Sequence, residues 1–148
     1  MKITICGSIA FIDEMQEAKS LLESHGHEVK TPPLEMIDEG GQVMSTKKFY
    51  EIRKSASESE EWIWDRKAEA MRNHFDKVEW SDAILVLNKT KNNILNYIGS
   101  NTLLEMGLAF HKRKNIYLLN AVPEISCKEE ILGMKPRVLD GDLFSLVN

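Results

Sequence analysis

The stretch "DAILVLN", Asp82 to Asn88, restricts the fold of this chain more than any other. Its apolar side chains run without a break between two polar residues, so it cannot be the alternating strand of a half-exposed sheet, and it is short for a buried helix. It reads as a strand covered on both faces, as in a parallel sheet. "NIYLLN", residues 115–120, has the same character, and "KITIC", Lys2 to Cys6, is a third β-rich run, ended by Gly7-Ser8. Strands of this kind need helices on both sides of the sheet, and the intervening segments have to supply them.

They do so in alternation. Phe11, Met15, Ala18, Leu21 and Leu22 have helical spacing up to about Ser24, Gly26 stops that helix, and a second strand is predicted around Glu28 to Thr31 before Pro32-Pro33. Residues 34–50, "LEMIDEGGQVMSTKKFY", lack a clean period and contain Gly40-Gly41, which predicts an irregular, mobile excursion over the site. From about Thr46 to Val78 the composition predicts one long or two broken helices, with Trp62, Ile63, Met71, Phe75 and Val78 as an intermittent apolar face. A loop from Asn88, a helix carrying Glu105 to about Lys112, a short helix in "CKEEILGM", a last strand near Arg137 to Leu139 and a turn from Asp142 complete the reading. The expected fold is a doubly wound, flavodoxin- or Rossmann-like α/β sandwich of about five parallel strands, one domain over residues 1–148. Ligands of such sheets bind beyond the carboxyl ends of the strands, where strand order reverses. Gly7-Ser8, Asn88 to Asn101 and Asn120 to Pro123 are the segments expected at that rim.

Composition narrows the partners. A net charge of -4 gives no electrostatic footprint for a polynucleotide or an anionic membrane, and no run approaches the ~20 apolar residues of a membrane span. Two cysteines, Cys6 and Cys127, are too few for a disulfide framework or a four-ligand zinc site, and His25, His27, His74 and His111 show no metal-ligand spacing. No metal is expected. Gly7-Ser8 lacks the spaced glycines of a dinucleotide fingerprint, so no cofactor is expected either. The opening "MKITICGSIAF" reads as a first strand rather than a signal peptide, and the cysteine usage suits a reducing, cytoplasmic location.

Glu105 stands out because it interrupts an apolar helix, "TLLEMGLAF", and an unpaired buried carboxylate is costly. Thr102-x-x-Glu105 matches a capping box, which would explain it structurally. The same placement sets the carboxylate about one turn, ~5 Å, into a helix at the rim of the sheet. There the helix dipole favours the ionised form, which suits a nucleophile. Gly99, Ser100, Asn101 and Thr102 fit either a helix N-terminus that holds a phosphate or sugar hydroxyl, or an ordinary polar turn. Asn88 and Asn120 fit ligand contacts or turn chemistry. Asp82 is expected to be structural, Cys6 a buried core thiol, and His74 and Asp76 part of a solvated helix face. Trp62, Trp64 and Trp80 fit core or interface positions better than base stacking.

Taken together, "CGSI", "DAILVLN" and "YIGSNTLLEMGLAFHKRKNIYLL" resemble the nucleoside 2-deoxyribosyltransferase superfamily, which includes N-glycosidases acting on nucleoside 5′-monophosphates. The likeness runs from Met1 to about Pro123. Its most specific part is Glu105, Gly107 and Ala109 followed by a strand, and "HFDKVEWSDAILVLN" with "YIGSNTLLEMG" is most similar to a branch without an assigned reaction. The resemblance implies cleavage or transfer of an N-glycosidic bond. Glu105 would attack the anomeric carbon, and water or a second base would resolve the glycosyl ester. Gly7, Ser8, Asn88, Gly99, Ser100 and Asn101 would line the pocket, with His74 near the place of an acidic residue and able to supply a proton. It further implies an N-glycosidase or deoxyribosyltransferase, a small nucleoside or nucleotide as partner, and a homodimer or higher homo-oligomer. A non-catalytic nucleotide sensor on the same fold is the alternative, with an interaction protein using the tryptophans as a third reading. Besides the replacement near His74, two departures from the family pattern are evident: Gly99 stands where the transferases have an aspartate, and Ala10-Phe11-Ile12-Asp13 replaces the arginine and glycines of the monophosphate hydrolases' first loop. Ser100 and Asn101 would then carry a phosphate.

Overall fold

The computed structural model describes residues 1–146. Its strands are β1 (Lys2–Cys6), β2 (Glu28–Lys30), β3 (Glu35–Ile37), β4 (Val43–Ser45), β5 (Ala83–Val86), β6 (Asn115–Leu118) and β7 (Arg137–Val138). Its helices are α1 (Ile12–Ser24), α2 (Thr46–Lys54), α3 (Glu61–Trp80), α4 (Ser100–His111) and α5 (Lys128–Gly133). Five strands form one wholly parallel sheet in the order β2-β1-β5-β6-β7, the doubly wound α/β arrangement that the alternating pattern predicts. Among the described residues no helix is long and apolar enough to cross a membrane.

The continuous apolar run has the expected cause. Residues 83–88 are all buried, and successive side chains of β5 point to opposite faces. Leu85 joins Ile3 and Ile5 of β1 against Met15, Ala18 and Leu22 of α1. Ile84 and Val86 join Cys6 against Val78 of α3, Met106 and Ala109 of α4, and Ile131 of α5. Each large apolar side chain so buried contributes roughly 1.5–3 kcal/mol. The strand therefore has no polar face to show.

Both ends of β5 are pinned. At the amino end the Asp82 carboxylate accepts a hydrogen bond from the Lys2 amide at 2.8 Å, the structural role expected of it. At the carboxyl end Asn88, fully buried, uses its whole side-chain amide: Nδ2 donates to the carbonyls of Asn120 and Ala121, each at 3.0 Å, and Oδ1 accepts from the Asn120 amide at 2.9 Å. Asn120 Nδ2 returns a bond to the Asn88 carbonyl at 3.1 Å. This stitches the chain beyond β5 to the chain beyond β6.

The excursion after Pro33 is ordered, contrary to expectation. β3 and β4 form an antiparallel hairpin in which Met36 faces Met44, and the turn is held by the Asp38 carboxylate accepting from the Gln42 amide at 2.8 Å. Gly41, at φ +82°, supplies the left-handed residue the turn needs. Strands of three residues are too short for their alternation to show in the sequence. Ser45 then caps α2 by accepting from the Lys48 amide at 3.1 Å. The charged stretch is two helices, α2 and α3, broken where Glu60 Oε1 accepts from the Ser57 amide.

Replacing Asn88 with alanine would leave the Asn120 amide and two carbonyls without their partners. Asn88→Ala should lower unfolding free energy by about 2–4 kcal/mol, as the loss of several buried hydrogen bonds does. Urea denaturation measures it; a change below ~0.5 kcal/mol would show that water replaces the clip.

Candidate active site

Along the chain β1 is followed by β2 on one side, whereas α2 and α3 carry the chain back to β5 on the other. Strand order reverses between β1 and β5, so the loops leaving them diverge and open a crevice. A cavity of about 320 Å³ lies there. Gly7 and Ser8 from the end of β1, the first two turns of α4, and the inner faces of α2 and α3 enclose it, with Pro32, Pro33 and Met36 on the hairpin side. An added Cβ would be crowded at two points. A Cβ on Gly7 would stand 3.0 Å from Met15 Cε and 3.2 Å from the Leu87 carbonyl oxygen, and one on Gly99 would stand 3.0 Å from the Tyr97 hydroxyl.

The helix carrying Glu105 begins one turn earlier than a capping box demands. Gly99 is the N-cap and Ser100 the first helical residue, so Thr102 is already inside α4 and Glu105 is in its second turn. The capping box is absent, and the first-turn dipole effect does not reach the carboxylate. Burial decides its state instead. Glu105 is 9% exposed, and desolvation pushes its pKa from 4.5 up to about 7, against the opposing hydrogen bond of Cys6 and charge of Lys67. The expectation of a permanently ionised side chain is corrected: near neutral pH the acid and the carboxylate coexist.

His74 is buried too, not on a solvated face. It falls in line with Ile63 and Val78 along the inward side of α3, a spacing readable in the sequence once the helix is phased. Its Nε2 lies 3.9 Å from Glu105 Oε2 and 3.5 Å from Cys6 Sγ, and its Nδ1 has no hydrogen-bond partner among the described residues. Burial, reinforced by the Lys77 charge, lowers its pKa from 6.5 to about 4. Such an imidazole is neutral at pH 7 and carries no spare proton, which corrects its expected role as a near-neutral acid. Cys6 is a fully buried thiol whose pKa is raised by burial and then by Glu105. Sulfur, imidazole and carboxylate are mutually within 4.8 Å. They could hold a divalent ion only if the thiol lost its proton, which burial opposes.

Around the same cavity stand Arg53 of α2, Lys67 of α3 and Lys91 of the loop after β5. Lys91 donates to Ser8 Oγ at 2.8 Å and to the Tyr50 hydroxyl, and its ammonium lies 5.0 Å from the ring centres of both Tyr50 and Tyr97. Burial raises the Tyr50 phenol, but the Lys91 and Ser8 hydrogen bonds and the lysine charges outweigh it and lower its pKa. Neither the three cations nor Tyr50 was singled out from the sequence. They come from separate elements, and only the fold assembles them.

Of the residues singled out from the sequence, Gly7, Ser8, His74, Gly99, Ser100, Asn101 and Glu105 line this one cavity. Asn88 does not. Its amide is consumed by the β5–β6 clip, so the turn chemistry offered as its other reading is the one realised.

The two buried titrations oppose each other. Glu105, with its pKa raised in the folded state, contributes stability that is full below about 4.5 and lost as pH rises to about 7. His74, with its pKa lowered, contributes stability that is full above about 6.5 and lost as pH falls to about 4. Glu105→Gln removes only the first effect. Relative to the unaltered chain, the variant should gain up to about 3 kcal/mol between pH 4.5 and 8, read from denaturant unfolding at both pH values. A gain that does not change with pH would contradict the desolvation of Glu105.

No protein-family model matches the sequence, and no curated protein matches it. Solved structures do. A 2-deoxyribosyltransferase of Bacillus psychrosaccharolyticus superposes on 100% of this chain and 91% of its own, with a TM-score of 0.59 and 17% identity. A CMP N-glycosidase of Clostridium botulinum superposes on 99% of this chain and 95% of its own, with a TM-score of 0.50 and 16% identity. Identities this low speak for the fold and leave the chemistry to the site itself. The chain has the fold of these two proteins, a 2-deoxyribosyltransferase and a CMP N-glycosidase.

Proposed function

We propose that this chain cleaves or transfers the N-glycosidic bond of a nucleoside or nucleotide, with Glu105 as nucleophile. The observation that carries the reading is a buried carboxylate at the floor of a partly apolar cavity at the strand-reversal point. The fold neighbours named for deoxyribosyl transfer and for CMP N-glycosidase action support it.

In the ionised form a Glu105 oxygen attacks the anomeric carbon. The carbon–nitrogen bond breaks, its electron pair leaves with the base, and the base takes up a proton from solvent; a glycosyl ester on Glu105 results. Water or a second base then attacks the same carbon and gives up a proton to solvent, and the ester bond breaks to return the carboxylate. Positive charge develops on the sugar in both steps, beside a desolvated carboxylate, where attraction is stronger than in water. Neutral His74 and the protonated Cys6 thiol bring no competing charge to the nucleophile, and the thiol hydrogen bond helps hold it in its ionised form. Phe49, Met36 and Met71 offer the base an apolar wall, and Ser100 and Asn101 offer the sugar polar groups.

The raised pKa supports one other role, in which neutral Glu105 acts as an acid toward the leaving base. The pH profile separates the two. A nucleophile requires kcat/KM to rise with pH through about 7 and then level off, whereas an acid requires it to fall there. Chromatography of nucleosides and their 5′-monophosphates, with and without a second free base, should show base release or exchange, reduced at least ~10³-fold in Glu105→Gln. Release that survives in the variant would reject Glu105 as the nucleophile.

A further inference from the structure

We infer that Cys6, His74 and Glu105 form a site for a zinc ion, reached through the cavity, and that a chain holding the ion is switched off because its nucleophile is coordinated. The coordination stands on the geometry of the three side chains; its effect on turnover rests on the proposed glycosidic chemistry.

The glycosidic steps leave two of these groups without a bond to make. Cys6 and His74 neither attack the sugar nor transfer a proton, yet the fold brings them from β1 and α3 to the Glu105 carboxylate of α4, all three buried. One donor atom from each lies within 4.8 Å of the other two. A four-coordinate zinc ion, with Zn–S of ~2.3 Å and Zn–N of ~2.0 Å, separates a thiolate sulfur from an imidazole nitrogen by ~3.5 Å and two nitrogen or oxygen donors by ~3.4 Å. Cys6 Sγ and His74 Nε2 stand 3.5 Å apart, and Nε2 and Glu105 Oε2 stand 3.9 Å apart. The carboxylate then has to approach the imidazole by roughly 0.5 Å, within the reach of side-chain rotation. A metal at Nε2 puts the ring proton on Nδ1, which has no hydrogen-bond partner among the described residues, so nothing there enforces the opposite tautomer.

The donor set selects the ion. A thiolate, an imidazole and a carboxylate suit zinc, whereas magnesium and calcium take oxygen ligands. Three protein ligands leave a fourth position for water, and His74 and Glu105 both line the cavity from which water and the ion arrive. Thiolate and carboxylate together balance the ion, so the occupied site buries no net charge. Burial opposes a bare thiolate, but here the metal takes the place of the proton. The S–H bond breaks, an S–Zn bond forms, and the proton passes to solvent, as does any proton on Glu105. The Lys67 charge, which reaches Glu105, works against the ion and limits its affinity. With zinc bound, Glu105 has no free carboxylate to offer an anomeric carbon.

The test is spectroscopic titration of the untagged chain with cobalt(II), whose thiolate complexes absorb strongly where the free ion does not, followed by addition of zinc, with magnesium as the oxygen-seeking control. One equivalent of cobalt should bind with thiolate-to-metal absorption, zinc should displace it, and magnesium should not. The absorption should persist in Cys127→Ser, whose one thiol is Cys6, and disappear in Cys6→Ala. Glu105→Gln and His74→Gln should each weaken binding beyond the ~10–100-fold that loss of a ligand's supporting hydrogen-bond partner costs. Melting curves confirm that each variant is folded, and the Cys127→Ser result decides the matter even if Cys6→Ala is not. No thiolate absorption, its loss in Cys127→Ser, or an unchanged affinity in Glu105→Gln would each overturn the proposal. Base release by the unaltered chain should vanish with one equivalent of zinc and return with a chelator; release that continues with zinc bound would overturn the switched-off state. A chain that binds the metal in this way but releases no base even with a chelator would instead overturn the glycosidic reading and leave the zinc site standing.

Discussion

The parallel pairing of β1 with β5 is the constraint on which the rest of the molecule depends. Once Ile3, Thr4, Ile5 and Cys6 align with Ala83, Ile84, Leu85 and Val86, the first crossover and the long return through α2 and α3 must lie on opposite sides of β1. The chain therefore leaves the two strands in diverging directions, and a crevice at their carboxyl ends is unavoidable. Everything of chemical interest gathers there: the tight turn at Gly7, the N-terminal turns of α4, and the inner faces of α2 and α3. The clip between Asn88 and Asn120 keeps the sheet closed on its far side of that opening.

What the crevice does to its side chains follows from desolvation. The same burial that raises Glu105 to about 7 drives His74 down to about 4 and keeps the Cys6 thiol protonated, so between those two values the floor of the cavity is largely uncharged. Arg53, Lys67 and Lys91 line the same cavity and form no ion pair among the described residues.

The sequence reveals the sheet more readily than the site. "DAILVLN" is legible because burial on both faces removes every polar residue from a strand, and the apolar positions of α1 are legible because one face packs on that strand. The β3–β4 hairpin escapes because three residues do not establish a period. Glu105 could be singled out because a carboxylate in an apolar helix violates a local rule, but its protonation state depends on what α3 places over it, and that is tertiary information. His74 misleads for the same reason: polar neighbours on α3 suggest solvent, and only the phase set by Ile63 and Val78 turns it inward. Asn88 misleads in the opposite sense, since a strand-end asparagine serves a ligand or a neighbouring strand equally well until the partner loop is placed. Arg53, Lys67 and Lys91 carry no motif at all, being separated by secondary structure and united by the fold.

The central claim is that a sugar becomes covalently attached to Glu105. The most direct measurement is intact-protein and peptide mass spectrometry after acid quench, using 2-fluorinated nucleosides and nucleoside 5′-monophosphates, whose electron-withdrawing substituent slows the breakdown of a glycosyl ester. The account predicts an adduct equal in mass to the substrate's sugar portion without its base, localised to the peptide containing Glu105 and absent from Glu105→Gln. Base release by the unaltered chain with no adduct at any quench time, or an adduct on another residue, would contradict it.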